Sequence, residues 1–460
     1  MIKVKGFEHQ KVAILGLGRT GNSAALALTA GNAHVFAWDD NSLSRKDAED
    51  QGISVVDLAT LHWDQISALL LSPGIAASHP YAVLANKAGV PIICDIELLA
   101  QTQLEANFIG ITGTNGKSTT TWLIAHLLRT VKRQIEVGGN IGKAALNLNS
   151  LGKDGTYVLE LSSYQLERIF TPFLKTSLLL NITPDHLERH GDMAGYVKAK
   201  QRIFSLQKGP KNVIISIDDE ECLNLYRVLL NEESYAIIPF SVKARVPKGI
   251  YVLNGMLMDN RENTDEEVLD LKTFHNLPGD HNWQNIAAAY AAVMLEGLSK
   301  DQFIEGLRTF KNLPHRLEEV TVIDDVHFIN DSKATNSDAA AKALSCYEKN
   351  IFWILGGRAK DNGLNGLDQY FSRIKKAFLV GEAEERFSKI LEGKVSYLQC
   401  HELSRAVQEA YYEAISYAER PAYVLLSPAC ASWDQFKDFE HRGEVFKELV
   451  SKLPQERKIS

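Results

Sequence analysis

One short run carries more chemistry than any other part of the chain. Ile109–Thr119 reads IGITGTNGKST, an apolar strand-like entry followed by glycines, a lysine and hydroxyls at the start of a helical stretch. Small residues let backbone N–H groups approach an anion, and a helix N-terminus favours negative charge. Gly113 and Gly116 would permit that approach, with Thr114, Asn115 and Thr119 completing the cradle. Lys117 supplies a mobile charge for β- and γ-phosphates, and the Ser118 hydroxyl can coordinate Mg²⁺. Because Ile111 stands five positions before Gly116, this is a shortened G-x-x-G-K-S form of the general loop. ATP is the nucleotide such a loop is expected to take.

A second glycine pattern lies near the amino end. KVAILGLGRTG sets Gly16, Gly18 and Gly21 after a strand and before a helix, and the acidic pair Asp39–Asp40 follows the next strand. On spacing alone this is a dinucleotide fingerprint, with Asp39 available for ribose hydroxyls. The same geometry would hold any pyrophosphate, and Arg19 suits a phosphate. An NAD-dependent oxidoreductase is one reading, but it leaves GTNGKST and NDSKATN without a role. Glu160 closes the apolar strand YVLE, where a carboxylate needs a partner or a metal. Lys200, by pattern alone, belongs to the solvated face of a charged helix. No Ser–His–Asp or Cys–His constellation stands out.

The elements that must position these groups alternate along the chain. Lys11–Leu15, His34–Trp38, Leu69–Leu71, Phe108–Ile111, Tyr157–Leu161, Ser177–Ile182, Val213–Ile217, Ile351–Leu355, Ala377–Val380 and Ala422–Leu426 read as buried strands. Helical periods over Lys117–Arg129, Gln284–Leu295 and Asp338–Leu344 lie between them, so the expected class is α/β with helix-covered parallel sheets. Breaks are expected near Asp95–Asn107 and Phe310–Pro314, with hinge closure about both. A small appended β-hairpin is expected between residues 240 and 280.

Composition agrees with this class. The chain has 460 residues, 45% of them hydrophobic and 23% charged, which suits about three globular domains. Its net charge of −7 argues against a nucleic-acid partner held by phosphate neutralisation. Five scattered cysteines without a CxxC pair argue against disulfides or structural zinc and for a reducing cytoplasm. The opening MIKVKGFEHQKVAIL lacks a signal-peptide core, and no apolar run approaches the roughly 18 residues that span a bilayer.

TGTNGKST resembles the ATP loop of the Mur ligases and the related folylpolyglutamate synthases. LELSSYQLE, NITPDHLERHG, KAKQRIF, LPHRLE, NDSKATN, LGGRAKD and LLSPACASWDQFKDFEHRGEVF follow in the family's order. With GLGRTGNS, SPGI and DIEL, the set is most similar to the D-glutamate-adding branch. The resemblance implies a Rossmann-like UDP-binding domain over residues 1–96, a central P-loop ATPase-like α/β domain over 97–311, and a C-terminal Rossmann-like α/β domain over 312–460. It implies an amide ligase acting through an acyl phosphate, with UDP-N-acetylmuramoyl-L-alanine and D-glutamate as substrates. A sibling ligase adding another amino acid is the alternative.

Site residues follow from the same resemblance. Ser118, Glu160, His186 and Lys200, the last as a CO₂-derived carbamate, would hold two Mg²⁺ ions, with Asp185 beside them. Lys117, Glu160, His186 and Lys200 are the implied catalytic set. Asn282, Arg316 and Asp331 would contact ATP, and Asn140 the transferring phosphate or substrate carboxyl. Arg19, Thr20, Asp39, Asp40, Ser72 and Gly74 would hold the UDP end. Lys333, Thr335, Lys360, Ser432 and the backbone N–H of Phe439 would take the amino acid. A cytoplasmic monomer is expected.

Overall fold

The computed structural model describes residues 1–274, 277–359 and 363–456. Its contacts fall into two compact units, Met1–Lys272 with Asn282–Phe310, and Thr273–His281 with Lys311–Ser460.

Short runs such as VAIL and LLL have both faces buried, which suits central strands of parallel sheets and little else. In the first unit, β1 (Lys11–Leu15), β2 (His34–Trp38), β3 (Ala68–Leu71) and β4 (Ile92–Ile93) form a parallel sheet in the order β2-β1-β3-β4. The order reverses at β1, so the loops leaving β1, β2 and β3 open into one crevice at the carboxyl ends of the strands.

A nine-stranded sheet follows. Its strands are β5 (Asn107–Thr112), β6 (Ile135–Gly139), β7 (Thr156–Glu160), β8 (Leu174–Leu179), β9 (Gln207–Ser216), β10 (Tyr235–Ser241), β11 (Ile250–Leu253), β12 (Met256–Asp259) and β13 (Glu266–Asp270). Their order is β13-β12-β11-β10-β9-β8-β5-β7-β6, parallel except where β12 pairs with β11 and β13. The phosphate loop, Glu160 and the 180–186 segment thus leave the carboxyl ends of three adjacent strands.

The hairpin expected between residues 240 and 280 is present as β11–β12 and is appended to the nine-stranded sheet, where β11 pairs with β10. Its Asn254–Gly255 turn has φ of 53° and 83°, the left-handed pair that a tight two-residue hairpin requires. The strand expected at Ser177–Ile182 lies at Leu174–Leu179, because residues 180–182 turn off to brace the phosphate loop. The segment near Asp95–Asn107, about which hinge closure is expected, is packed on both sides. One core runs from Ile2 and Val12 through Leu98 to Phe108 and Leu159. Hydrogen bonds cross it: Ile2 N–H donates to Leu146 O at 2.7 Å, and the buried Glu97 carboxylate accepts from the N–H groups of Phe170 (2.8 Å) and Thr171 (3.1 Å).

The second unit carries β14 (Glu318–Ile323), β15 (Val326–Asn330), β16 (Ile351–Gly356), β17 (Ile374–Val380), β18 (Tyr397–His401) and β19 (Ala422–Leu426). Their order is β14-β15-β19-β16-β17-β18, parallel apart from the β14–β15 hairpin. Two apolar clusters cover its faces, one around Trp353 and Phe387, the other around Phe328, Phe378 and Phe446. Among the described residues, no helix is long and apolar enough to cross a membrane.

Candidate active site

The phosphate loop joins β5 to the helix Lys117–Thr130, whose first turn holds Ser118 and Thr119. Gly116 sits at φ 81°, and a Cβ there would lie 2.2 Å from Asn285 Oδ1, so only glycine fits. Asn181, just past β8, braces the loop: its carbonyl accepts from Thr114 N–H at 2.9 Å and its Oδ1 from Asn115 N–H at 2.8 Å. Asn181 Nδ2 donates back to Asn115 O at 3.2 Å. From the helix Asp280–Leu295, Asn285 accepts from Thr120 Oγ1 (3.2 Å) and donates to the buried Asn282 (3.4 Å). The Lys117 ammonium folds over the loop and donates to the carbonyls of Gly113 and Thr114 at 2.9 and 2.8 Å.

Beside the loop lies an oxygen in need of a cation. Glu160 is 2% exposed; its Oε1 accepts from Asn140 Nδ2 at 2.7 Å, while Oε2 is buried without a hydrogen-bond partner among the described residues. An orphaned buried carboxylate oxygen is costly unless a metal completes it. Asn140, expected at the phosphate or substrate carboxyl, donates from its amide to Glu160, with the Gly139 and Asn140 backbone packed against the Glu160 carbonyl.

Lys200 overturns its solvated-face reading. On the helix Met193–Ser205 it is 1% exposed, donates to Gly113 O at 2.7 Å and lies 4.6 Å above the Tyr196 ring. Burial first, and then the charge of Lys117, drive its ammonium well below the usual lysine range. A neutral amine is the form that can add CO₂, and a carbamate would turn a cation into an oxygen donor.

His186 stands at φ 53° on a more open loop, 3.5 Å from the Asp185 carboxylate and 3.8 Å from that of Glu188. Among the described residues, no three His, Cys, Asp or Glu side chains already form a metal cluster. The donors present nevertheless fit Mg²⁺, a hard ion that keeps waters and substrate phosphates and needs only one or two protein oxygens.

In the amino-terminal crevice, Arg19 and Thr20 open the helix Arg19–Ala30. A Cβ on Gly16 would meet Ser72 and Ile75 at 2.7 Å, and one on Gly21 would strike Gly16 O at 1.8 Å. The glycines therefore allow close packing against the Ser72–Gly74 loop, and Ser72 Oγ donates to Gly16 O at 2.9 Å. Asp39, expected at a ribose, already accepts from Leu17 N–H (2.7 Å) and Asn41 N–H (2.8 Å), which ties the β1 and β2 loops together. Asp40 remains exposed, and its hydrogen bond to His79 holds its carboxyl below the usual range.

Asp331, Lys333 and Thr335 of the second unit follow β15, and Ser432 follows β19. Asp331 accepts from Ser427 Oγ at 2.8 Å and Leu317 N–H at 3.2 Å, and burial pushes its carboxyl up to about 7. Arg316 lies between His315 (φ 63°) and Leu317 (φ 44°), two non-glycine residues in the left-handed region. The Lys333 ammonium sits 3.6 Å over the Phe439 ring, at the start of the helix Phe439–Glu456. Ser432 is buried, whereas Lys360 lies outside the described residues.

The sequence reading passed over several structural contributors. Asn181 lay in the NIT motif without an assigned role, and Asn285 repeats Asn282 one helical turn later. Arg442, inside EHRGE, is buried and donates to Ser332 Oγ (2.9 Å), Ser332 O (2.8 Å) and Cys430 O (3.1 Å). A charged residue buried on a helix has no signature in spacing.

Residues 111–293 match the Mur ligase middle domain, and residues 315–430 match the family's glutamate ligase domain. The UDP-N-acetylmuramoylalanine–D-glutamate ligase of Paramagnetospirillum magneticum is 46% identical over 99% of both chains. That of Caulobacter vibrioides is 48% identical over 98% of both. Among solved structures, UDP-N-acetylmuramate–alanine ligase of Thermotoga maritima superposes with a TM-score of 0.59 at 17% identity, covering 96% of this chain and 100% of that one, so the fold is common to both. The chain belongs to the Mur ligase family, and within it is similar over its whole length to the UDP-N-acetylmuramoylalanine–D-glutamate ligases.

Proposed function

We propose that the chain is the ATP-dependent ligase that joins D-glutamate to UDP-N-acetylmuramoyl-L-alanine in peptidoglycan synthesis, acting as a monomer in the cytoplasm. The observation that carries this reading is the 45–48% identity to such ligases along 98–99% of the chain. Its domains would be a UDP-binding domain over residues 1–96, an ATP-binding domain over 97–311 and an amino-acid domain over 312–460.

In this mechanism both nucleophiles come from substrates. The acceptor carboxylate attacks the ATP γ-phosphorus and releases ADP; the D-glutamate amine then attacks the acyl phosphate, and phosphate leaves as the amide forms. Lys117 and the loop N–H groups cradle the phosphates and oppose the charge that spreads over the transferring group. Ser118 and the bare oxygen of Glu160 would hold one Mg²⁺, and His186 with carbamylated Lys200 a second. Mg²⁺ supplies Lewis-acid neutralisation of the phosphoryl oxygens. Asn140 keeps Glu160 oriented and would also contact the transferring phosphate or the substrate carboxyl. Arg19, Thr20, Asp39, Asp40 and the Ser72–Gly74 loop would bind the UDP end, with Asp39 also holding the β1 and β2 loops together. Asn282, Arg316 and Asp331 would contact the nucleotide, and Lys333, Thr335, Lys360, Ser432 and Phe439 N–H the amino acid.

Phosphate release from Mg-ATP with the muramoyl-alanine substrate, assayed against L-alanine, D-glutamate, meso-diaminopimelate and L-lysine, tests the reading. Turnover with D-glutamate is expected. Turnover with another amino acid alone would move the chain to a sibling activity, and NAD binding without ATP consumption would overturn the ligase reading.

A further inference from the structure

Arg168 is a buried cation with an unusual set of partners. Its side chain belongs to a residue only 5% exposed, and its hydrogen bonds run to main-chain carbonyls: Nη1 to Leu71 O at 3.1 Å and Ser72 O at 3.4 Å, and Nη2 to Ile75 O at 3.2 Å. Burial lowers its pKa from the ordinary arginine value. Desolvating a guanidinium against neutral carbonyls is costly and adds little stability of its own. Its planar fork is suited to fixing several carbonyls at once.

The places it connects are informative. Arg168 ends the segment that begins at Glu160, and that segment is pinned throughout. Ser162 and Gln165 form a reciprocal capping box on the helix Ser163–Leu166, and the Cys94 thiol donates to the carbonyls of Gln165 and Arg168 at 3.7 Å. At the far side, Ser72 Oγ grips Gly16 O, and the Gly16 backbone leaves no room between itself and Ser72 or Ile75. The loop after β3 therefore cannot shift without moving the glycine loop after β1. A single rigid path links the carboxylate awaiting a metal to the crevice in which the sugar nucleotide would sit.

We infer that Arg168 is a positioning residue for the acceptor substrate. It fixes the Leu71–Ile75 loop relative to Glu160, so that an acceptor anchored by its UDP end presents its carboxylate to the γ-phosphorus at the proper offset. The inference rests on the reading that this crevice takes the UDP end. In-line transfer is sensitive to such offsets: a displacement of about 1 Å can lower a rate by roughly 10²-fold.

The test uses the full-length chain with Arg168→Lys, which keeps the charge and loses the fork, and Arg168→Ala. Steady-state kinetics in each substrate are compared with direct titration of UDP. For Arg168→Lys, kcat/KM for the UDP-substrate should fall by roughly 10–100-fold, with KM for ATP and for D-glutamate unchanged and UDP binding weakened. Arg168→Ala should be worse in the same parameter, with Arg168→Lys as its partial rescue. KM values for ATP and D-glutamate raised in Arg168→Lys along with that for the UDP-substrate, as general destabilisation would give, overturn the inference, as does wild-type kcat/KM for the UDP-substrate. UDP titration keeps the two ideas separable. If the wild-type chain binds UDP but makes no amide with D-glutamate, the ligase reading falls and the effect of Arg168→Lys on UDP affinity still decides the positioning role. If the wild-type chain does not bind UDP, both fall.

Discussion

Glu160 and Lys200 lie where charge is hardest to hide, one on a fully buried strand and the other 1% exposed on a helix. Glu160→Gln keeps the shape and the bond from Asn140 but removes the charge that a metal needs. Phosphate release should fall by at least roughly 10²-fold, with UDP binding intact by titration; preserved turnover would refute metal ligation. Lys200→Ala should abolish turnover while leaving binding of the UDP-substrate, and ¹³C-bicarbonate should give a carbamate resonance in the wild-type chain that the variant lacks. Asp331 makes a pH prediction. Its carboxyl is raised to about 7 in the folded state, above the ordinary 3.8, so the contribution of its protonated form is complete below about pH 4 and lost as pH rises through about 7. Melting of the second unit should decline between pH 5 and 8 by more in the wild-type chain than in Asp331→Asn, where no proton is at stake. The slope difference is at most about 1.4 kcal/mol per pH unit; parallel pH profiles would contradict it.

Strands and loops carry a different kind of information. The glycines of GTNGKST were legible because a phosphate needs backbone N–H groups at close range, and Gly116 at φ 81° facing Asn285 is the physical form of that need. Gly116→Ala should weaken ATP binding by roughly 10–100-fold through backbone strain of about 1–3 kcal/mol and a clash, while UDP binding stays unchanged. Equal ATP affinity in calorimetric titration would count against the loop's role. Less legible was the support beneath the loop. Asn181, two residues past β8, reads as an ordinary strand end until its three hydrogen bonds to Thr114 and Asn115 are seen. The β11–β12 hairpin was legible from its turn residues but its edge pairing with β10 was not, because period-two alternation reports a strand's faces and says nothing of its edge neighbours.

The whole molecule divides where the cores divide. The amino-terminal sheet and the nine-stranded sheet share one continuous apolar cluster, whereas the second unit has clusters of its own. Calorimetry should therefore resolve two unfolding transitions, with both sheets of the first unit melting together. The UDP-substrate at about 100 times its Kd should stabilise that transition by about 2.7 kcal/mol. Separate melting of the two sheets of that unit, or no shift with the substrate, would contradict this.

Amino-acid order alone determined the α/β class, the alternation of strand and helix, and the chemistry of the phosphate loop. These rest on local periodicity and on backbone needs that glycine, lysine and serine announce within a few residues. Only the tertiary structure decided that Lys200 is buried against Gly113 and not solvated, that Asn140 serves Glu160, that Asp39 ties two loops, and that Arg168 reaches the carbonyls at Leu71–Ile75. Apart from the Asn41 bond to Asp39, those facts join residues 20 to 97 positions apart. The desolvation that gives them their meaning is a property of what packs around a side chain, which the spacing of residue types does not encode.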